Sequence, residues 1–311
     1  MTEMRNPDVS VVMSVYNGAA ALDETIESVL SQANCDFEFV VVNDGSTDNS
    51  REILDRWVLR DPRLRVIHQE NSGLTRALIA GCAAARGEFI ARQDAGDISL
   101  PHRLQLQYGL LREREDVVLV SCSCRMLGPR GELLFNLARI GDSLEEGLSH
   151  LDVVRIKGPP HHGTAMFRRQ AYLDAGGYRP TFVVAQDLDL WLRLAEAGTC
   201  WGIDAVGYEA TLEANSISGR RRAEQVRLGT LAVACAKERR AGRPDLPLIE
   251  AAIPPLKQPQ RAMTKREEAK FLYFIGSCLR TRDPATSVAY FRESAKTYPF
   301  FLKALVRSAF G

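Results

Sequence analysis

Two aspartates, Asp94 and Asp97, stand three positions apart in the segment ARQDAGDIS, separated only by Ala95 and Gly96. Neither intervening residue can hold a metal or shield one charge from the other. The pair could make a metal site, supply half of one, or form an acidic turn after a strand. Two further turns are as polar: Ser14-Val15-Tyr16-Asn17 and Asn43-Asp44-Gly45-Ser46 carry carboxylates or other side-chain oxygens. His161-His162 does not read as a metal pair, because adjacent side chains on an extended segment point apart. Cys122 and Cys124 would share one side of a strand in an apolar run, and read as packing for want of nearby ligands.

These turns need strands to carry them. Residues 9–15 (VSVVMSV), 37–42, 64–68 and 88–92 are short β-rich runs, the pattern of buried strands. Between them, residues 22–32 repeat apolar positions at helical spacing, 51–60 follow the capping residues Thr47 to Ser50, and 73–86 are alanine-rich. Strand and helix in this alternation predict a parallel sheet covered on both faces. In such sheets ligands bind beyond the carboxyl ends of the strands, which is where all three polar turns fall. A dinucleotide enzyme would place G-x-G-x-x-G after its first strand, and SVYNGAAAL does not fit.

Further along, residues 101–114 read as a helix, 117–126 as a strand, and PPHHGTAMF (159–167) as a turn entering a short strand. Residues 172–178 form a Gly-ended helical pattern and 187–197 an apolar-striped one. Beyond Ser218 only helices are expected, divided by a Pro-punctuated linker at 243–260. YFRESAKTYP is similar to one helix-turn-helix repeat unit, and a single unit does not define a repeat array.

The 311 residues suffice for one large domain with an appendage, and the charged and apolar fractions are those of a globular protein. The net charge of +1 conceals an asymmetry: 21 Lys+Arg against 31 Asp+Glu through Ser218, and 19 against 8 after it. Two bodies with different partners are expected, 1–218 and 219–311, and the basic one could meet anionic lipid or a phosphorylated acceptor. The seven cysteines show no repeated spacing, as in reduced intracellular thiols. No run of about 18 apolar residues occurs, and MTEMRNPDVS has no apolar signal core, so a cytoplasmic location is expected.

Four blocks follow in order: VSVVMSVYNGAAALDETIESVLSQ, FEFVVVNDGSTDNS, NSGLTRALIAGCAAARGEFIARQDAGDISLPHRL and AQDLDLWLRL. Over roughly residues 8 to 218 they resemble the family 2 glycosyltransferases. The resemblance implies a GT-A fold, a Rossmann-like α/β architecture with a mostly parallel sheet, followed here by a C-terminal helical region. It also implies transfer from a nucleotide diphosphate sugar, with a UDP-sugar favoured, and inversion of the anomeric centre. By the same likeness Ser14 and Tyr16 line the base pocket, Asp44 accepts the uracil imide hydrogen, Arg76 faces the phosphates and Asp94 the ribose. Asp187 matches the general base that takes the acceptor proton. Its other reading is an N-cap for the helix that follows. His162 and Gly177 match positions on the acceptor side, Gly177 within a helix C-cap.

Two departures bear on a metal. The family's turn commonly reads Asp-Ala-Asp-Asp, its third residue binding Mg²⁺ or Mn²⁺, and Gly96 stands in that position here. Asp97 is one residue late, although glycine's backbone freedom could swing it into place. The histidine that many relatives carry after the catalytic helix is also missing, since none follows His162. Without an ion, Arg76, Arg92 or Arg220-Arg221-Arg222 would have to neutralise the leaving diphosphate. Gln186 further replaces the glutamate that precedes the catalytic aspartate. The expected partners are a nucleotide-sugar donor, a carbohydrate, lipid-linked or protein acceptor, and the inner membrane face through the basic half, but no nucleic acid. A catalytically silent nucleotide-sugar binder is the competing reading. A nucleotidyltransferase would want a Gly-rich basic loop after the first strand, which YNGAAALDE is not.

Overall fold

The computed structural model describes residues 6–213, 221–252 and 263–310, with side chains to 307. Its strands are β1 (Val9–Val15), β2 (Phe37–Asp44), β3 (Leu64–Gln69), β4 (Phe89–Asp94), β5 (Ile98–Ser99), β6 (Val117–Leu127), β7 (Leu133–Leu137), β8 (Ala165–Arg168) and β9 (Thr199–Thr211). They form one sheet in the order β3-β2-β1-β4-β8-β6-β9-β5, with β7 paired to β6. The four strands legible as buried β runs are the parallel ones, β3-β2-β1-β4. Beyond β4 the sheet turns antiparallel, through β8 to β6, and β5 pairs antiparallel with β9. The expected mostly parallel sheet is therefore a mixed one.

Register brings the polar turns together. Ser14 on β1 lies opposite Val42 on one side and Asp94 on the other, and Val15 lies opposite Asn43. Side chains alternate across the strands, so Val11 and Met13 face α1 (Ala19–Leu30) and α2 (Ser50–Val58), where Leu22, Ile26 and Leu54 are buried. Val12, Val40 and Ile90 face the other layer, α3 (Leu74–Ala84), through Leu78 and Cys82. Each fully buried aliphatic side chain contributes about 1.5–3 kcal/mol. Truncating Phe39, 0% exposed on the α1 and α2 side, would cost about 3–5 kcal/mol.

The α2 entry narrows the expected capping residues, Thr47 to Ser50, to one. Asn49 makes no capping bond. Asp48 does that work, accepting from Ser50 N through Oδ1 and from Ala19 N through Oδ2, both at 3.0 Å. One carboxylate thus satisfies orphan donors at the start of two helices.

The remaining helices are α4 (Arg103–Glu113), α5 (Ser143–Ser149), α6 (Arg169–Asp174), α7 (Gln186–Leu194), α8 (Arg222–Arg240), α9 (Leu246–Ala251), α10 (Lys265–Leu279), α11 (Pro284–Thr297) and α12 (Leu302–Phe310). By contacts the chain forms two compact units. The first comprises Met1–Cys124, Leu137–Ala210 and Arg222–Pro254, the second Arg125–Asn136, Thr211–Arg221 and Pro255–Gly311. Helices α8 and α9 thus belong to the first unit, although residue 218 was the division expected from charge. Helix α9 also lies inside the expected linker, of which residues 253–260 are outside the described residues.

In the second unit α10 starts with a capping box, Thr264 against Glu267, and pairs with α11. Ser287 and Ser294 donate to the α10 carbonyls of Gly276 and Ala269 at 2.7 and 2.6 Å, and Gly276 lets the Phe291 ring approach. Among the described residues, no helix is long and apolar enough to cross a membrane.

Candidate active site

The acidic turn is held in one shape by its glycine. Asp97 N donates to Asp94 O at 3.3 Å, and Gly96, third of the four residues, has φ +99°. Positive φ at that position is the signature of a type II turn and demands glycine. Space is not the reason, since a Cβ at Gly96 would meet nothing within 4 Å. Gly96 N donates to Thr25 Oγ1 at 3.0 Å, and Gln93 Nε2 donates to the carbonyls of Asp94 and Asp97 at 3.1 and 2.9 Å. Beneath, the buried Arg103 guanidinium donates to Gln93 Oε1 and Ser99 Oγ at 3.1 and 2.7 Å.

The turn folds Asp97 back beside Asp94, and His161 joins them. His161 Nδ1 lies 3.7 Å from Asp94 Oδ2 and 3.6 Å from Asp97 Oδ2. One ligating atom from each of the three residues lies within 4.8 Å of the others. The two histidines do point apart, His161 being extended and His162 opening a 3-10 turn, and one of them alone reaches the aspartates. His161, set aside with its neighbour in the sequence reading, is thus a candidate third ligand. Gly163 N donates to His161 Nδ1 at 3.3 Å, a bond that a cation at that nitrogen would replace. The ring stacks on Tyr208 with centroids 5.6 Å apart. Two carboxylate oxygens and an imidazole nitrogen converge, which is a donor set suited to a hard or borderline divalent cation.

Tyr208, wholly buried, ties this cluster to β9: its hydroxyl accepts Asp94 N at 3.0 Å. Gly163 passes so near that a Cβ there would overlap the Tyr208 hydroxyl.

Arg92 is also wholly buried. It donates to Val12 O and Gln93 O, to Asp94 Oδ1 at 2.5 Å, and to His162 Nε2 at 3.2 Å. This corrects one alternative, because a guanidinium engaged inside the sheet cannot meet a diphosphate. Its effect is electrostatic: burial pushes the Asp94 carboxyl up, but Arg92 outweighs this and holds it below the usual range. His162 is kept neutral, its basicity lowered by burial and by Arg92. Its Nε2 also faces Tyr178 Oη at 2.8 Å, and its ring meets Trp191 edge-on.

Asp187 sits in the first turn of α7, which Ala185 enters at φ +56°. Its Oδ1 accepts Leu188 N at 2.9 Å, but the N-cap position belongs to Ala185. The carboxyl is part-exposed yet surrounded by protein. Burial raises its pKa, the Leu188 N–H bond opposes this, and Asp94 raises it further. Asp189 faces away, wholly buried against Arg193 at 2.5 Å. Arg179 joins Asp189 to Asp245 at 3.8 and 2.7 Å, and Arg239 joins Asp245 to Glu196, so an ionic chain anchors α7 to α8 and α9. Gln186 is buried, and its Oε1 has no hydrogen-bond partner among the described residues.

The other predicted residues spread along the strand ends. Asp44 is 1% exposed and accepts four hydrogen bonds: Gln69 Nε2, Ser72 N and Ser72 Oγ on Oδ1, and Gly73 N on Oδ2. Its immediate work is to shape the loop leading into α3, with one lone pair of Oδ2 left over. An open depression of about 510 Å³, lined by Gly45, Arg51, His68, Gln69, Glu70 and Asn71, lies against that loop. Tyr16 is 44% exposed, Ser14 adjoins Asp94, and Arg76 is exposed on α3. Gly177 completes a Schellman cap of α6, with Gly176 N donating to Leu173 O and Gly177 N to Tyr172 O. Arg220 lies outside the described residues.

Comparison with known proteins shows the family and the fold. The family model "Glycosyl transferase family 2" matches residues 10–174. A putative glycosyltransferase of Bacillus subtilis, EpsE, is 34% identical over 200 residues, covering 62% of this chain and 68% of that one. The chondroitin synthase of Pasteurella multocida is 27% identical over 214 residues, 69% of this chain but only 22% of the synthase. Among solved structures, S. aureus TarS 1–349 superposes with a TM-score of 0.56 at 16% identity, covering 97% of this chain and 88% of that one. The mannosyltransferase PcManGT of Pyrobaculum calidifontis, solved with GDP-Man and Mn²⁺, gives 0.57 at 22% identity over 98% and 80%. The fold is that of the GT-A glycosyltransferases. The chain belongs to glycosyltransferase family 2 and is a sugar-transferring enzyme.

Proposed function

We propose that the chain transfers a sugar from a nucleotide diphosphate donor, UDP-linked by preference, to an acceptor hydroxyl, inverting the anomeric carbon. The observation that carries this reading is the placement of Asp187. It is a carboxyl of raised basicity, close enough to the Asp94–Asp97–His161 cluster to feel its charge. In a single displacement the acceptor oxygen bonds to the anomeric carbon as the bond to the diphosphate oxygen breaks. The acceptor proton passes to Asp187, and the electron pair leaves with the diphosphate. Asp94, Asp97 and His161 would hold Mg²⁺ or Mn²⁺, whose charge stabilises the leaving diphosphate when bound. Asp94 also serves the ribose, Ser14, Tyr16 and Asp44 the base, and Arg76 the phosphates. His162 and Gly177 border the acceptor.

The TarS structures solved with UDP and with UDP-GlcNAc support a uridine donor, and the Mn²⁺ in PcManGT supports a metal. The acceptor belongs to polysaccharide, glycolipid or glycoprotein assembly, reached at the membrane face through the basic C-terminal half. The test is a thermal-shift screen of nucleotides and nucleotide sugars, with and without Mn²⁺. Turnover is then measured in EDTA. Stabilisation by UDP compounds that Mn²⁺ strengthens is expected, and full activity in EDTA would exclude the metal.

A further inference from the structure

The second unit ends in α12, whose solvent side is apolar. Phe300, just before the helix, is 81% exposed, Leu302 72% and Val306 58%. Leu302 and Val306 are four positions apart and share one face. Ala304, 0% exposed, lies on the opposite side, and Phe301 packs against Tyr273 with ring centroids 5.1 Å apart. The helix is therefore seated by one face and turns large hydrophobic residues outward on the other, the reverse of what water selects. Lys303 and Arg307, also four apart and exposed, border the apolar strip, because each residue advances about 100° around a helix. Tyr298 meets Phe300 edge-on at 5.8 Å, so an aromatic pair stands at the helix entry.

We infer that α12 is a surface anchor that lays Phe300, Leu302 and Val306 into the headgroup boundary of an anionic bilayer, with Lys303 and Arg307 meeting its phosphates. Charge complementarity decides for this occupant. Residues 263–307 carry 9 Lys+Arg against 4 Asp+Glu. Three of those acids are engaged locally: Glu267 with Thr264, Asp283 with Thr286, and Glu293 with Arg130. A second copy meeting the same strip would set like charges against each other. An amphipathic helix with cations beside its apolar face binds in the plane of a membrane without crossing it. The inference deepens the membrane-face part of the functional reading but uses none of the transfer chemistry, so either can fail alone.

The test is flotation of the full chain with vesicles of phosphatidylcholine alone and of phosphatidylcholine mixed with phosphatidylglycerol, without any sugar nucleotide. Binding to the mixed vesicles only, weakened by salt, is expected. Lys303→Glu with Arg307→Glu should lower the partition coefficient by roughly fivefold or more per cation. Leu302→Glu with Val306→Glu should abolish binding. Thermal unfolding unchanged in both double variants confirms that the fold is kept, as expected at exposed positions. No flotation, equal binding to both vesicles, or partition unchanged in both double variants would overturn the inference. So would self-association, seen by light scattering, that Leu302→Glu with Val306→Glu removes while vesicles go unbound.

Discussion

Arg92 Nη2 lies 2.5 Å from Asp94 Oδ1, while the other oxygen of the same carboxylate faces His161. One side chain thus divides its two acceptors between a cation inside the sheet and the open end of the strands. The inner bond fixes the rotamer and the charge of Asp94, and the outer oxygen is left available for a ligand.

Arg92→Met should destabilise the fold by about 3–5 kcal/mol, the cost of leaving one member of a buried pair alone. Asp94 has a depressed pKa in the fold. Its contribution is therefore present above the unfolded value of about 3.9 and is lost as pH falls through the folded one. The gap between wild type and variant should be widest at neutral pH and should narrow below about pH 4. Urea unfolding at a series of pH values measures it.

Gly96→Ala introduces no clash, so its effect comes from the backbone alone. Holding alanine at φ +99° costs on the order of 1–3 kcal/mol. Relaxing that strain would open the turn and withdraw Asp97. The expected result is a modest fall in Tm with a tenfold or larger rise in half-saturating Mn²⁺, on the order seen when metal-site support is lost. A variant with wild-type Mn²⁺ response would show that the turn does not position a ligand.

His161→Ala tests the third ligand directly. Mn²⁺ affinity, followed by calorimetry in the presence of UDP, should drop at least tenfold, as should that of Asp97→Asn. His162→Ala is the contrast, because its ring faces Arg92 and Tyr178. It should cost folding stability more than metal affinity.

Asp187→Asn should lower kcat by about 10²–10⁴, the range for a general base, while leaving nucleotide affinity unchanged. The folded pKa of Asp187 is raised, so folding favours its protonated form and that advantage is lost as pH rises through the folded value. An amide removes the penalty, and Tm at neutral pH should hold or increase. A loss of activity cannot then be ascribed to unfolding. In the wild type, kcat should fall on acidification at a pH above the ordinary aspartate range near about 4.

Strands β1 and β2 were legible because Val9 to Val15 and Phe39 to Val42 are nearly continuous apolar runs, buried along almost their whole length. Strand β9 was not, since Gly202, Asp204 and Gly207 interrupt its apolar pattern. Those glycines answer to tertiary neighbours: a Cβ at Gly202 would overlap the Arg139 carbonyl, and one at Gly207 would press on Cys122. Asp94 and Asp97 were visible from spacing, but His161 was not, because its approach depends on β8 lying beside β4. Arg92, Gln93 and Arg103 left one faint signal, polar residues in or beside a run that otherwise reads as core. Tyr208 left none, as its role arises only where β9 passes beneath the turn.

The close passage of Gly163 beside Tyr208 has an evolutionary reading. Tyr208 holds the Asp94 amide, so shrinking it costs the acidic turn a support, while enlarging Gly163 alone is sterically barred. Neither position can drift by itself. Among homologues, a side chain at the position of Gly163 should appear only where that of Tyr208 has changed as well, two distant sites inherited as one.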